Sequence, residues 1–187
     1  MGELLVMTKR KLVLFNNLAP GDVIVMTAAL RDLHRTYPDQ FETAVRATCS
    51  DSIFAENPYI TPIDIRYPLK DVVKSVQVLK KHKARKQVVS RDELKKAEDC
   101  LAKAREFQIE PVVMGYNLIH RCNQISKHFI NGQIYHLNNE LNLQIKLTEF
   151  KPDLYLSEEE KLDKPVSGRY WVILAGGKYD FTAKWWG

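Results

Sequence analysis

A strand, a tight turn and a helix within residues 11–38 constrain the fold more than any other feature of the sequence. Residues 11–15 form a short apolar run rich in β-preferring side chains, which indicates a buried strand. The Pro-Gly pair at residues 20 and 21 then ends the strand. Apolar side chains recur at helical spacing through residues 23–37, and Pro38 closes the segment, so a helix follows at once. This pattern is typical of the opening unit of an α/β protein.

Charged residues of this first helix separate into two groups. Arg31, Asp32 and Arg35 fall outside the apolar stripe, which predicts that they face solvent. Asp22 instead lies on the turn, at the carboxyl end of the strand and the start of the helix. Open α/β sheets bind ligands at this position, so Asp22 is the leading candidate for a functional residue.

Length and composition describe an ordinary globular protein. The chain has 187 residues, 27% charged and 45% hydrophobic, and this length accommodates one domain, or one domain and the beginning of another. No apolar run approaches the roughly 20 residues of a membrane-spanning helix, and the first residues lack the apolar core of a secretion signal. Three widely spaced cysteines favour reduced thiols, so we predict a cytoplasmic protein.

The positive charge is concentrated in one segment, residues 69–107. Residues 70–105 contain 12 Lys and Arg against 5 Asp and Glu, a local net charge of +7, whereas the whole chain carries +5. The remainder is therefore close to −2. Helical spacing of the apolar residues in this segment predicts a basic helical insertion.

Further strands and helices are expected along the rest of the first domain. Ser90 and Glu93 have the spacing of a capping box, which predicts a helix that runs to residue 107. Ser157, followed by three glutamates, predicts another helix start. The remaining predicted elements are strands at residues 42–48, 62–66 and 111–116, a short helical turn at 51–55, and helices at 69–82 and 120–141.

The composition changes near the end of the chain. Residues 165–168 have the character of a linker, and residues 170–174 form a new apolar strand followed by a Gly-Gly loop typical of a nucleotide-binding half. A compact domain rarely ends just after a first strand and a loop. We therefore predict an N-terminal domain at residues 1–167 and the truncated beginning of a second domain at residues 168–187.

Three stretches together resemble one known family. LAPGDVIVMTAALRDLHRTYP (residues 18–38) resembles the opening of family 9 glycosyltransferases, which include the ADP-heptose:lipopolysaccharide heptosyltransferases. YWVILAGGKYDFTAKWW (residues 170–186) is similar to the start of their second domain, and ELNLQIKLTEFKPDLYLSEEE (residues 140–160) looks like their interdomain approach. The resemblance implies a GT-B architecture, in which two Rossmann-like α/β domains face each other across a cleft. The first mainly holds the acceptor and the second mainly holds the nucleotide sugar.

In the first domain, the resemblance implies that Asp22 is the catalytic base. A positioned carboxylate suits this role because an acceptor hydroxyl is a poor nucleophile until its proton is removed. Gly21 lets the backbone approach a ligand closely, and His128 lies in a segment that resembles the acceptor-side wall of the cleft. The alternative for Asp22 is an N-cap of the first helix, and the alternative for His128 is an ordinary helix residue.

In the second domain, the resemblance implies that Lys184 meets the donor phosphates and offsets the charge that builds on the leaving nucleoside diphosphate. Thr182 adds a hydroxyl, and Gly176 and Gly177 expose backbone amides. The loop before Lys184 is longer than the threonine-rich loop of the heptosyltransferases. A solvated loop lysine is therefore the alternative for Lys184.

The resemblance implies a glycosyltransferase that moves a sugar from a nucleotide-sugar donor to a hydroxyl of a bacterial lipopolysaccharide or other surface glycan. Such enzymes need no metal and no cofactor for transfer. The 187-residue chain alone is expected to be inactive, because a cleft with one wall cannot hold both substrates. The competing class is a truncated, non-catalytic module that binds glycan or an anionic surface.

The basic insertion has alternatives of its own. Lys80, Lys81, Lys83, Arg85 and Lys86 suit peripheral binding to the anionic cytoplasmic face of the inner membrane, at about 1 kcal/mol per charge. A solvated face of a helical hairpin explains the same charges. Nucleic-acid binding is disfavoured, because the segment lacks interleaved aromatic residues and a recognisable module.

Two other chemistries are disfavoured by residue spacing. His120, Cys122 and His128 fit no standard zinc pattern and have no evident fourth ligand in the sequence. A dinucleotide-dependent dehydrogenase also opens with a strand and a glycine turn, but the first turn here lacks G-x-G-x-x-G. Pro20 also removes an amide that a phosphate would need, so we expect neither a metal site nor a bound dinucleotide.

Overall fold

The computed structural model describes residues 8–16, 18–47, 51–62, 69–83, 88–115, 128–163 and 166–169. The strands in these ranges are β1 (Arg10–Asn16), β2 (Phe41–Ala47) and β3 (Ile109–Met114). The helices are α1 (Pro20–Thr36), α2 (Leu69–Lys83), α3 (Arg91–Glu106), α4 (Phe129–Leu141) and α5 (Glu158–Leu162), with a 3-10 turn at Asp51–Phe54. The chain divides into two compact units, Met1–Tyr155 and Leu156–Gly187.

The three described strands form a parallel sheet in the order β2-β1-β3. The last residue of β1, Asn16, pairs with Ala47 on one side and Met114 on the other, so the carboxyl ends of all three strands lie at one edge. The chain passes from β1 to β2 and then crosses to the far side of β1 to form β3. Open α/β sheets bind ligands where the strand order reverses in this way. The α/β prediction with a parallel sheet is confirmed, and the arrangement is consistent with a Rossmann-like fold.

Side chains of β1 point alternately into two cores, because successive strand residues face opposite sides of a sheet. Leu12 and Leu14 belong to the larger core, which packs under α1 and α4. Val13 and Phe15 belong to the core on the other face, against which Val73 of α2 packs. Helices therefore lie on both faces of the sheet.

The basic insertion forms a helical hairpin of α2 and α3. Val72 of α2 packs with Cys100 and Ala104 of α3. The predicted capping box is confirmed, because Ser90 Oγ accepts the Glu93 N–H at 3.2 Å and the Glu93 carboxylate accepts the Ser90 N–H at 3.4 Å.

Several predicted elements fall on residues that the structure does not describe. They include most of the strand at residues 62–66, the first part of the helix at residues 120–141 and the strand at residues 170–174. The domain boundary at residues 167 and 168 likewise stays a prediction.

One extended segment, residues 143–155, runs back along α1, and we call it the strap. Its start is fixed just beyond the end of α1, where the Gln144 N–H donates to Tyr37 Oη at 2.8 Å. Its far part reaches the middle of the helix, where the Asp153 N–H donates to Thr27 Oγ1 at 2.8 Å. The strap is therefore antiparallel to α1.

Arg31 and Asp32 are buried beneath the strap, so the prediction that they face solvent is wrong. The two side chains are only 1% and 0% exposed. The Arg31 guanidinium donates to Asp32 Oδ1 and Asp153 Oδ2, both at 2.9 Å, and to the carbonyl oxygens of Glu149 and Lys151 at 2.9 and 3.0 Å. These bonds hold the strap on a face of α1 that would otherwise be polar and solvated.

The charges of Arg31 and Asp32 are buried together, and each stabilises the other. Burial opposes protonation of Arg31, but the hydrogen bonds and charges of Asp32 and Asp153 outweigh it, so the pKa of Arg31 is raised. Asp32 also accepts the Thr148 N–H at 3.0 Å and the Thr148 hydroxyl at 2.5 Å. Removal of Arg31 would leave the buried carboxylate of Asp32 without the cation that compensates it. Arg35 is exposed, as predicted.

The outer edges of β2 and β3 each have a hydrogen-bonding partner. His136 of α4 donates from Nε2 to the Val113 carbonyl of β3 at 2.9 Å, and its side chain is 3% exposed. At the opposite edge, the Thr61 N–H donates to the Thr43 carbonyl of β2 at 2.8 Å.

Stability is expected to fall as the pH falls below neutrality, in part through His136. Burial lowers the pKa of His136 and the Lys80 charge lowers it further, while the Val113 carbonyl and Glu140 act in the opposite direction. The unfolded chain therefore binds a proton at a higher pH than the folded chain. The stabilisation that neutral His136 contributes is fully present above the ordinary pKa of 6.5. It is lost as the pH falls from there toward the pKa of His136 in the folded chain, by at most about 1.4 kcal/mol per pH unit.

Urea unfolding at pH 7.5 and pH 5.5 measures this effect. His136→Gln should lose less stability than the wild type between the two conditions, because glutamine keeps an N–H for the Val113 carbonyl but does not titrate. His82→Gln, at an exposed position in the last turn of α2, is the matched control and should behave as the wild type does. Identical pH dependence in all three proteins would contradict the assignment to His136.

Candidate functional site

Two helices begin at the edge of the sheet where the three strands end. α1 starts four residues after Asn16, the last residue of β1. α4 packs on α1 in the larger core, and their ends lie together, because Gln144, just beyond α4, bonds to Tyr37, just beyond α1. The two helices thus run in the same direction, and the start of α4 is at the same edge. We call this the carboxyl edge.

Asp22 is the third residue of α1 at the carboxyl edge. The N-cap residue is Ala19 and Pro20 follows it, so the alternative that Asp22 is the N-cap is wrong. A carboxylate in the first turn of a helix interacts favourably with the helix dipole, by about 0.3 to 1 kcal/mol at the surface. The residue is half-exposed, which leaves it within reach of a ligand.

Gly21 leaves open space beside Asp22. A Cβ atom built on Gly21 would meet no atom within 4 Å, and the residue is exposed. The glycine therefore lets a ligand approach the backbone at this turn. The role of Gly21 at this turn stays a prediction.

Asn16 is a functional candidate that the sequence analysis missed. Its side chain is fully buried, and Oδ1 accepts the Leu18 N–H at 3.1 Å. This bond forms an Asx turn directly between β1 and the start of α1. The signal was present in the sequence, since an asparagine at the end of an apolar strand and before a turn is typical of this motif.

His128 begins α4 and has a local structural role. Its Nδ1 accepts the Ile130 N–H at 3.3 Å, which makes it the N-cap of the helix. The ring packs edge to face on Phe150 of the strap, with 5.1 Å between ring centres. Because Nδ1 accepts the capping hydrogen bond, Nε2 is the ring nitrogen of His128 that is left to bind a ligand.

The predicted donor-side residues lie outside the described residues. They are Lys184, Thr182, Gly176 and Gly177, and their roles stay predictions. His120 and Cys122 are likewise outside. Within the described ranges, no group of three or more His, Cys, Asp or Glu side chains could hold a metal ion.

An open pocket of about 320 Å³ lies at the opposite edge of the sheet, where the strands begin. Its charged lining includes Arg10, Arg105 and Glu110. Arg10 and Glu110 form a bidentate pair with N–O distances of 2.7 and 2.5 Å, and the hydrogen bonds that Arg10 donates to Glu110 raise the pKa of Arg10. Arg10 and Glu110 neutralise each other, whereas Arg105 leaves a positive charge on the lining.

The basic face is less extensive than its sequence suggests. Lys80 pairs with Glu140 of α4 at 2.9 Å, whereas Lys81 and Lys83 are exposed. Arg85 and Lys86 are outside the described residues. None of the helices in the described part of the chain is long and apolar enough to cross a membrane.

No protein-family model matches this chain, and no curated protein and no solved structure matches it significantly. The resemblance to family 9 glycosyltransferases therefore stays a proposal.

Proposed function

We propose that this chain is the acceptor-side, N-terminal part of a GT-B glycosyltransferase similar to the heptosyltransferases. The enzyme transfers a sugar from a nucleotide-sugar donor to a hydroxyl of a bacterial lipopolysaccharide or other surface glycan. One observation carries the proposal: the half-exposed carboxylate of Asp22 stands at the carboxyl edge, next to the central strand and the point where the strand order reverses.

The proposed reaction needs one base at this edge. Asp22 takes the proton of an acceptor hydroxyl while the hydroxyl oxygen bonds to the anomeric carbon of the donor sugar. The bond between that carbon and the diphosphate oxygen breaks at the same time, and the nucleoside diphosphate leaves. Lys184 offsets the charge on the leaving group, and Thr182, Gly176 and Gly177 bind its phosphates, as the family resemblance implies.

The proposed acceptor is attached to an anionic membrane surface, which suits the positive charge of the basic insertion. Because Lys80 is paired with Glu140, the proposed surface contact is made by Lys81, Lys83, Arg85 and Lys86. The protein would then act at the cytoplasmic face of the inner membrane.

A transfer screen tests the function. The full product of the reading frame that contains this chain is incubated with ADP-, GDP- and UDP-linked sugars and with deacylated lipopolysaccharide oligosaccharides as acceptors. The proposal predicts release of the nucleotide that depends on acceptor, with an equal amount of acceptor gaining the mass of one sugar. Folded protein that binds an oligosaccharide but transfers no sugar from any donor would favour the non-catalytic glycan-binding module instead.

A further inference from the structure

The end of β1 carries a fully buried polar side chain where an apolar one would pack at lower cost. Asn16 is 0% exposed and lies between the ends of β2 and β3, opposite Ala47 and Met114. Burial of an amide is unfavourable unless its polar atoms are bonded. The contacts of Asn16 therefore indicate what the side chain supplies.

Asn16 joins the strand, the turn and the helix that together present Asp22. Its Oδ1 accepts the Leu18 N–H at 3.1 Å, which fixes the first step of the turn. Its Nδ2 donates to the Met26 sulphur of α1 at 3.6 Å. Met26 follows Asp22 by four residues, so the two side chains lie on the same face of α1, one turn apart.

We propose that Asn16 is a positioning residue for Asp22. The inference rests on the proposed function, because it assigns Asn16 to the same site. The Asx turn sets the backbone of residues 18–22, and the contact with Met26 sets the first turns of α1 against the end of β1. A carboxylate that must meet a hydroxyl in line with a departing diphosphate loses turnover steeply when it is displaced by about 1 Å.

Asn57 provides a matched control for the substitution. It is also buried, with 6% exposure, and its Oδ1 also accepts an N–H two residues on, from Tyr59 at 3.0 Å. That Asx turn lies in the loop after β2 and not between β1 and α1. Asn16→Ala and Asn57→Ala thus remove the same kind of bond at two places.

Amide hydrogen exchange tests positioning without any substrate. In Asn16→Ala, the amides of residues 18–23, except Pro20, which has none, should exchange about threefold to tenfold faster than in the wild type, which is the effect of one lost hydrogen bond. In Asn57→Ala, the same amides should keep their wild-type rates. Unchanged exchange at residues 18–23 in Asn16→Ala would overturn the inference whether or not the protein transfers sugar.

Steady-state kinetics with the most active donor and oligosaccharide of the transfer screen separate positioning from general stability. Asn16→Ala should lower kcat by about tenfold to a hundredfold with the donor KM within about twofold, whereas Asn57→Ala should change neither. Asn16→Ser should recover part of kcat, because a serine hydroxyl makes a weaker form of the same turn. Equal kcat losses in Asn16→Ala and Asn57→Ala would contradict positioning, and absence of transfer by the wild type would contradict the proposed function alone.

Discussion

Replacement of Arg31 by methionine is expected to lower the free energy of unfolding by about 3 to 5 kcal/mol. Methionine fills much of the same volume, so the loss reports the guanidinium and not an empty space. Without it, the carboxylate of Asp32 is buried with no cation, and the carbonyl oxygens of Glu149 and Lys151 lose their donor. The measurement is urea unfolding of wild type and variant at pH 7.5.

Arg35→Met is the matched control for this substitution. Arg35 lies one turn further along α1 and also bonds to the strap, through Thr148 at 3.1 Å and Glu149 at 3.4 Å. Its side chain is 45% exposed, so water replaces these bonds and the loss should be much smaller than in Arg31→Met. Losses of equal size in the two variants would show that burial of the Arg31 cluster is not what stabilises the strap.

Limited proteolysis provides a local readout of the same change. The strap is extended, and its backbone depends on bonds to side chains of α1. In Arg31→Met, cleavage within residues 143–155 should become faster relative to cleavage in the β1 to β2 region. If Arg31→Met is destabilised but the strap is not cleaved preferentially, the loss of stability arises elsewhere in the core and not from release of the strap.

Asp22→Asn is expected to lower kcat of the proposed transfer by about a hundredfold to ten-thousandfold. Asparagine has nearly the same shape but cannot accept the hydroxyl proton. The donor KM should change little, because the donor is proposed to bind mainly to the second domain. The measurement is acceptor-dependent nucleotide release by the full product of the reading frame.

Asp71→Asn is the control for the helix-terminal charge. Asp71 is the third residue of α2 and, like Asp22 in α1, the acidic residue of the first turn. Both substitutions should cost the same small amount of stability, about 0.3 to 1 kcal/mol, through the helix dipole. Turnover near the wild-type value in Asp22→Asn, or equal loss in both variants, would remove Asp22 from the mechanism.

Local patterns in the sequence were sufficient for much of the fold. The apolar run before Pro20 and the helical stripe after it predicted β1 and α1, and Ser90 with Glu93 predicted the start of α3. In each case the signal and the structure it specifies lie within one turn or one strand. The position of Asp22 at a strand end follows from the same local pattern.

The buried pair Arg31 and Asp32 could not be predicted in this way. Helical periodicity identifies the face of α1 that packs on the sheet, but it contains no information on a second partner. That partner is the strap, whose contacting residues follow Arg31 by about 120 positions in the chain. Asn16 differs, because its bond to Leu18 has a local signal that could have been recognised, and only its bond to Met26 depends on how strand and helix pack.

An NMR titration shows where a glycan binds on this chain and so tests whether the carboxyl edge is the acceptor site. The 15N-labelled chain is titrated with the deacylated lipopolysaccharide oligosaccharide that is most active in the transfer screen, and backbone amide shifts are followed by NMR. We expect saturable shifts at the carboxyl edge, in the amides of residues 18, 19 and 21–23 and at Gly115, which directly follows the last residue of β3. Shifts confined to Lys9, Arg10 and Gln108, at the pocket on the opposite edge, would contradict it.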